Sequence, residues 1–409
     1  MFNKEIIQHL SQLKTPFYYY DLDLLCKSLK RLRNAALKYG YHVHYAIKAN
    51  ANERILQIIR DFGFGADCVS GNEVKKAIET GFEKEKIVFA GVGKSDSEMS
   101  YALEQSIFSF NCESVEEIEI INQMAGEYKK IAPISLRLNP DIDALTHNYL
   151  TTGLNENKFG IPIHLLYEVI HKRKNFSNIK LLGLHFHIGS QITELEPYIA
   201  LCEKINQIQA ELLNKYGIVY EHLNLGGGLG INYPNPDSEL IPDFEKFFET
   251  IHRYLKPLAG QEIHFEPGRS VVGQSGTLIS KVLYVKQGVN KQFVILDAGM
   301  TDLIRPALYK AHHKIENLSK QYGNIPACNY DVVGPICESS DCFDTGVTLP
   351  KTERGDLFAI RSAGAYGEIM VSQYNLRNKP PVVYSDQFVN NEDSFKDSCV
   401  ELTTNKNSI

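Results

Sequence analysis

Through the first two-thirds of this 409-residue chain, short β-prone runs alternate with longer helix-like stretches, and few folds accept eight such alternations in succession. The strand-like runs are His42–Ile47, Phe64–Cys68, Lys86–Ala90, Ile107–Asn111, Pro133–Asn139, Leu181–Ile188, His222–Leu225 and Glu262–Glu266. Between them, Glu53–Phe62, Asn72–Thr80, Asp96–Gln105, Val115–Lys130, Ile163–Lys174, Leu195–Tyr216 and Phe244–Leu258 read as helices. Ser70, Ser95 and Ser114 each precede a first turn that carries carboxylates, the pattern of a capped helix start. Each crossover returns to a parallel strand with the same hand, so eight repeats close a sheet on itself as a (β/α)8 barrel. An open doubly wound sheet would have fewer strands and a glycine-rich fingerprint after the first, which this chain lacks.

The pattern changes after about Ser270. Thr277–Val285, Gln292–Leu296, Tyr330–Val333, Leu357–Ile360 and Pro381–Tyr384 are strand-like with few long helices between them, which predicts a second, mostly β domain. Pro16–Tyr20 is strand-like and precedes the barrel, so it is expected to join that domain. The expected division is a barrel at residues 24–270 and a β-rich domain at 271–409 plus 1–23. The stretch Asn390–Ile409 is polar and is expected to fray.

Composition narrows the function classes. A net charge of -6 argues against nucleic acid or an anionic membrane as the main partner. No apolar run nears the roughly 18 residues that span a bilayer, and the N-terminus lacks the apolar core of a signal peptide. Eight cysteines without a CxxC pair suggest reduced thiols in a cytoplasm.

Barrel active sites form where the strands end, and that is where the chemically capable residues fall. Lys48 closes the first strand in Tyr45-Ala46-Ile47-Lys48-Ala49-Asn50. Alone it reads as a surface lysine at a loop start, or as an amine that condenses with a carbonyl cofactor. His185 and His187 share parity on the sixth strand, opposite Leu184, Phe186 and Ile188, and alternation turns both toward the interior. A His-x-His pair without a third ligand ranks low as a metal site, and no metal is expected. Gly226-Gly227-Gly228 follows the seventh strand, where barrel phosphate sites are common and where glycine amides can converge on an anion. Glu266 ends the eighth strand, facing inward with His264. An interior carboxylate needs a cation or a hydrogen-bonding partner, either an arginine or a protonated ring nitrogen. An amine for an imine, a glycine cradle for phosphate and a carboxylate for a ring nitrogen together describe pyridoxal 5'-phosphate.

These same motifs, with His185-Phe186-His187-Ile188-Gly189-Ser190-Gln191 and Glu266-Pro267-Gly268-Arg269, resemble the fold-type III pyridoxal-phosphate decarboxylases, from about Thr15 to Pro381. The resemblance implies that Lys48 holds the cofactor as an imine and that His187 stacks on its ring. It implies that Ser190, Gly226, Gly227, Gly228, Gly268, Arg269 and Tyr366 bind the phosphate, and that Glu266 pairs with the ring nitrogen. Asp67 and Glu73 match positions near the cofactor, and Arg137 matches an inward barrel arginine. Three further motifs resemble the branch of the family that acts on diaminopimelate: Arg305-Pro306-Ala307-Leu308-Tyr309, Gly334-Pro335-Ile336-Cys337-Glu338-Ser339-Ser340-Asp341, and a loop from Thr151 to Gly160.

A second amino-acid head needs paired cations for its carboxylate, for which Arg269, Arg305 and Tyr309 are suited, with Tyr366 beside them. Glu338 is suited to its ammonium. By the resemblance, Cys337 comes from the other subunit of a homodimer and protonates the product carbanion. Asn232, Glu368 and the tail after Tyr384 depart from the family pattern. The rival readings are a same-fold decarboxylase of carboxynorspermidine, arginine or ornithine, an amino-acid racemase, or an inactive regulatory relative. A racemase commonly sets arginine where Glu266 stands, and an inactive relative would tend to lose Lys48 or Cys337.

Overall fold

The computed structural model describes residues 2–142, 158–320 and 325–388. It divides into two compact units. One is the barrel, Leu29–Gly230 with Asp243–Gly268; the other gathers Met1–Ser28, Ile231–Pro242 and the chain from Arg269 onward.

A first strand, β1 (Phe17–Tyr20), belongs to the second unit. The barrel strands are β2 (His42–Ala46), β3 (Gly65–Cys68), β4 (Ile87–Phe89), β5 (Ser109–Cys112) and β6 (Ala132–Asn139), then, after the two-residue β7 (Ile161–Pro162), β8 (Ile179–His185), β9 (His222–Asn224) and β10 (Glu262–Phe265). Each pairs in parallel with the next, β6 with β8, and β10 pairs with β2 to close the ring; β7 only extends β6. The expected (β/α)8 barrel is thus present. Its strands are short because apolar packing is needed only over the thickness of the barrel, and polar residues take over at both ends. Ser70 and Ser114 accept hydrogen bonds from Glu73 N–H and Glu117 N–H, and Glu98 reaches back to the Ser95 amide at 2.9 Å, so the three expected caps exist. The helix expected over Phe244–Leu258 stops at Tyr254, where Leu255 is extended just ahead of Pro257. The helix from Val115 ends at Glu127, and Lys129 takes a left-handed turn.

In the second unit, β1 pairs antiparallel with β11 (Gly276–Gln287) and parallel with β17 (Val382–Tyr384). The remaining strands are β12 (Gln292–Leu296), β13 (Ile315–Asn317), β14 (Ala327–Val333), β15 (Cys342–Pro350) and β16 (Leu357–Ile360), in the order β13-β16-β11-β12-β14-β15. The short β13 and the polar β15 have no counterpart among the sequence-predicted strands. One core cluster packs Phe2, Leu10, Phe17, Tyr19, Ile279, Leu318, Leu357 and Ala359 together, so the N-terminal helix and strand are integral to this unit. Cys68, Cys112, Cys202, Cys328, Cys337 and Cys342 are free thiols.

Candidate active site

The barrel's interior is polar at its C-terminal end. Lys48 lies on a single 3-10 turn, Ile47–Ala49, directly after β2. Its Nζ is 3.1 Å from Oδ2 of Asp67 at the end of β3. Asp67 is fully buried and its Oδ1 meets no hydrogen-bond partner. Burial, with the charge of Glu266, lifts the Asp67 carboxyl to about 6 against the pull of Lys48. One residue past the β10 end, Glu266 accepts from Asn111 Nδ2 at 3.0 Å and from Asn224 Nδ2 at 2.7 Å on Oε1. Its Oε2 is 2.9 Å from His185 Nε2. Burial opposes its charge, yet His185 and Lys48 hold its carboxyl well below the ordinary range. Two carboxylates with opposite tendencies therefore share one barrel mouth, one poised to take a proton and one held charged.

His187 accepts from the Gly227 amide at Nδ1, 3.2 Å away. Loss of hydration and the nearby cations Arg137 and Lys48 keep its imidazole neutral. The Gly226 amide donates to Asn224 Oδ1 at 2.9 Å. Two of the three glycine amides are therefore already engaged, a correction to the idea that all three converge on an anion; the Gly228 amide has no partner among the described residues. What glycine provides at the other two positions is close approach. A Cβ on Gly227 would lie 2.2 Å from Glu266 O, and one on Gly226 would lie 2.2 Å from Phe186 O. Gly268 lies against Ala46 and Ala49, which flank Lys48; a Cβ there would meet theirs at 3.1 and 3.0 Å. Ser190 is partly buried.

Glu73 accepts the Val69 amide at 2.7 Å, and burial with the neighbouring Asp67 raises its carboxyl to about 7 from the usual 4.5. The folded chain then holds a proton that the unfolded chain releases, so this group's contribution to stability falls as pH rises from about 4.5 through 7. Thermal melts between pH 4 and 8 should show Glu73→Gln gaining on the wild type over that interval by about 3 kcal/mol; parallel curves would place the proton elsewhere.

Arg137, on β6, pairs with Glu113 at 2.7 Å, and its guanidinium lies 4.9 Å from the Phe159 ring centre. Glu113 also accepts the amides of Gly91 and Gly160. Of the loop from Thr151 to Gly160, the residues before Lys158 lie outside the described residues.

In the second unit, Arg269 donates to Tyr233 Oη at 2.6 Å and lies 4.8 Å from the Tyr366 ring. Arg305 lies 4.7 Å from the other ring of this group, Tyr233, and 2.8 Å from His313 Nε2. Since His313 Nδ1 donates to Arg361 O, its Nε2 is an acceptor for Arg305. Both guanidiniums are buried, and no carboxylate pairs with Arg305 among the described residues. Burial lowers the Arg305 pKa, which marks a cation short of an anion. Tyr309 is partly buried at the end of the helix Arg305–Tyr309. Cys337 and Glu338 stand on an exposed loop folded around buried Asp341, which accepts the amides of Met300 and Ile336. Of the departures from the family pattern, Glu368 accepts from Tyr20 Oη at 2.8 Å and Asn232 forms a local turn with Asn235 and Ser238.

Asn111, Asn224, Glu113, Tyr233 and His313 are absent from the sequence-based set. Asn111 and Asn224 could have been found by parity, since each shares the inward face of its strand with Ser109 or His222. The others depend on contacts far apart in the chain.

The residues present fit a phosphorylated pyridine aldehyde. A lysine amine stands beside a buried aspartate with an orphaned oxygen, and a glycine turn too tight for any side chain lies next to a neutral imidazole. Residues 25–273 match the family model described as pyridoxal-dependent decarboxylase, pyridoxal binding domain. The chain is 54% identical over 384 residues to a diaminopimelate decarboxylase of Bacteroides thetaiotaomicron, covering 94% of this chain and 98% of that one. It is 42% identical to one of Neisseria meningitidis serogroup B, covering 91% and 88%. Among solved structures, diaminopimelate decarboxylase from Helicobacter pylori complexed with L-lysine is 41% identical, with a TM-score of 0.85 over 92% of this chain and 93% of that one.

Proposed function

The chain belongs to the pyridoxal-dependent decarboxylases and, within them, to the diaminopimelate decarboxylases, and from that premise we propose that it converts meso-2,6-diaminopimelate to L-lysine and carbon dioxide with pyridoxal 5'-phosphate as cofactor. The observation that carries the reading within this chain is the lysine–aspartate–glutamate set at the barrel mouth, Lys48 against Asp67 with Glu266 held charged.

When bound, pyridoxal phosphate supplies an aldehyde for amines and a conjugated ring that accepts the electron pair left by carbon dioxide. Lys48 would hold it covalently, His187 would stack on it, and Glu266, fixed by Asn111, Asn224 and His185, would keep its ring nitrogen protonated. Ser190, Gly226, Gly227, Gly228, Gly268, Arg269 and Tyr366 would surround its phosphate, with Gly228 the free amide donor of the glycine turn. Asp67 Oδ2 is placed to exchange a proton with Lys48 Nζ, and its raised pKa suits that task. The β-rich unit would supply substrate recognition. Arg305 and Arg269 would take the distal carboxylate, with Tyr309 and Tyr366 beside them, and Glu338 would take the distal ammonium. The Arg305 cation, buried without a carboxylate, supports this assignment.

Cys337 is the proposed acid that returns a proton to the reacting carbon, acting across a homodimer in which the partner's Cys337 completes each site. Its exposure on the loop supports that role. Cys337→Ala should lower kcat by about 10²-fold, within the range for loss of a general acid, while cofactor absorbance is unchanged; unaltered turnover would remove it from the mechanism. A cytoplasmic enzyme with neither nucleic-acid nor membrane partner fits the net charge of -6, and no helix among the described residues is long and apolar enough to cross a membrane. Incubating purified protein with pyridoxal phosphate and meso-diaminopimelate should yield lysine and carbon dioxide in equal amounts. Faster turnover of ornithine, arginine or carboxynorspermidine would overturn the substrate assignment.

A further inference from the structure

At the opposite, N-terminal end of the barrel, four histidines and a glutamate from three neighbouring strands crowd together. His42 and His44 are on β2, His222 opens β9, and Glu262 and His264 are on β10. These strands are consecutive around the ring, and the pairing of β10 with β2 is the one that closes it. Lys48 and Glu266 lie past the far ends of the same strands, so the cluster is separate from the site described above.

We propose that His222, His264 and Glu262 form a binding site for a divalent transition-metal ion, zinc first, that clamps the closing seam of the barrel. Three potential ligand atoms converge on one point: His222 Nδ1 to His264 Nε2 is 3.0 Å, His222 Nδ1 to Glu262 Oε2 is 3.3 Å, and His264 Nε2 to Glu262 Oε2 is 3.7 Å. Zinc bound at 2.0–2.1 Å in a tetrahedron separates its ligands by about 3.3–3.4 Å, the centre of that spread. Two histidines and a glutamate leave a fourth position for water, and the half-exposed Glu262 and His42 side chains give an ion access from solvent.

The protons of His44 and His264 are already arranged for a metal. Lys86 O can only accept, so His44 Nδ1, 2.9 Å away, carries hydrogen. The neutral His44 then offers a lone pair at Nε2, to which His264 Nδ1 donates at 2.9 Å. His264 is thereby fixed with a bare lone pair at Nε2, aimed at His222 and Glu262. A ligating histidine commonly donates its second ring N–H to an acceptor that fixes its tautomer, and His44 Nε2 takes that place for His264. His222 needs only to carry its proton on Nε2, where the Glu221 carboxylate stands 3.8 Å away, to free Nδ1. Glu262 then supplies the negative charge a dication needs. His42 and Phe108 stack against His264 and close the apolar side of the cluster.

The test uses tag-free, cofactor-loaded full-length protein, stripped with chelator and titrated with zinc chloride. One zinc per chain should survive gel filtration and raise the melting temperature by about 2–5 °C at saturating metal. Cobalt in its place should give the visible bands of a tetrahedral nitrogen–oxygen site. Glu262→Gln, at a half-exposed position that tolerates substitution, and His222→Gln should each weaken zinc at least about 100-fold. Both variants keep every cysteine, so zinc retained by them would be held by thiols and would overturn the assignment, as would a wild type that retains none.

Discussion

Lys48→Ala should lower kcat on diaminopimelate by on the order of 10⁴-fold, because it removes at once the covalent anchor of the cofactor and a proton carrier at the reacting centre. Folding should be little affected, since Lys48 is about a third exposed on a single turn after the strand. Borohydride reduction followed by peptide mapping gives the direct readout: a pyridoxyl group on the peptide containing Tyr45-Ala46-Ile47-Lys48 in the wild type and none in the variant. A variant that still carried the label there, or active wild type labelled elsewhere, would move the anchor. With Lys48 gone, Asp67 loses the partner that offsets its burial, so its carboxyl should rise further above 6 and the variant should lose stability as pH increases.

Arg305→Met should reduce kcat/KM for diaminopimelate by about 30- to 5000-fold, the equivalent of the roughly 2–5 kcal/mol lost when one member of a buried charge pair is truncated. The free variant should be no less stable than the wild type, because methionine fills similar volume and removes a buried cation that lacks a carboxylate. Loss of activity with stability retained separates recognition from folding. Amino acids without a distal carboxylate should be affected far less, so the ratio of diaminopimelate to lysine-like competitors is the quantity to measure. Equal losses on both would sink the assignment of Arg305 to the distal carboxylate.

The barrel was legible because its signal is local. Each strand is a short run with its own turn residues, and three helix starts carry their own serine and carboxylate. Lys48 and Glu266 could be found for the same reason, since both end a strand with inward parity. The residues that hold them could not. Asn111 and Asn224 meet on Glu266 from strands 113 positions apart in the chain, and only closure of the ring brings them there. The glycine turn shows the same limit from the other side. Its composition announced a tight bend, but not that Asn224 and His187 occupy two of its amides. In the β-rich unit, β13 has only three residues and β15 is interrupted by Asp344 and Gly346, so neither gives a period that sequence alone can register.

The chain's route between its two units has a consequence for anyone who would take it apart. Ile231–Pro242 leaves the barrel after β9, contributes Tyr233 and Asp237 to the β-rich unit, and returns before β10. A ribosome therefore releases the material for the second unit in three instalments, and the ring cannot close until the middle one has emerged. Cutting at residue 268 would not yield two modules: the front piece would carry Tyr233 without Arg269, and the back piece would lack its opening strand. Neither half is a portable cassette, and domain swapping between relatives must exchange the whole interleaved set or none of it.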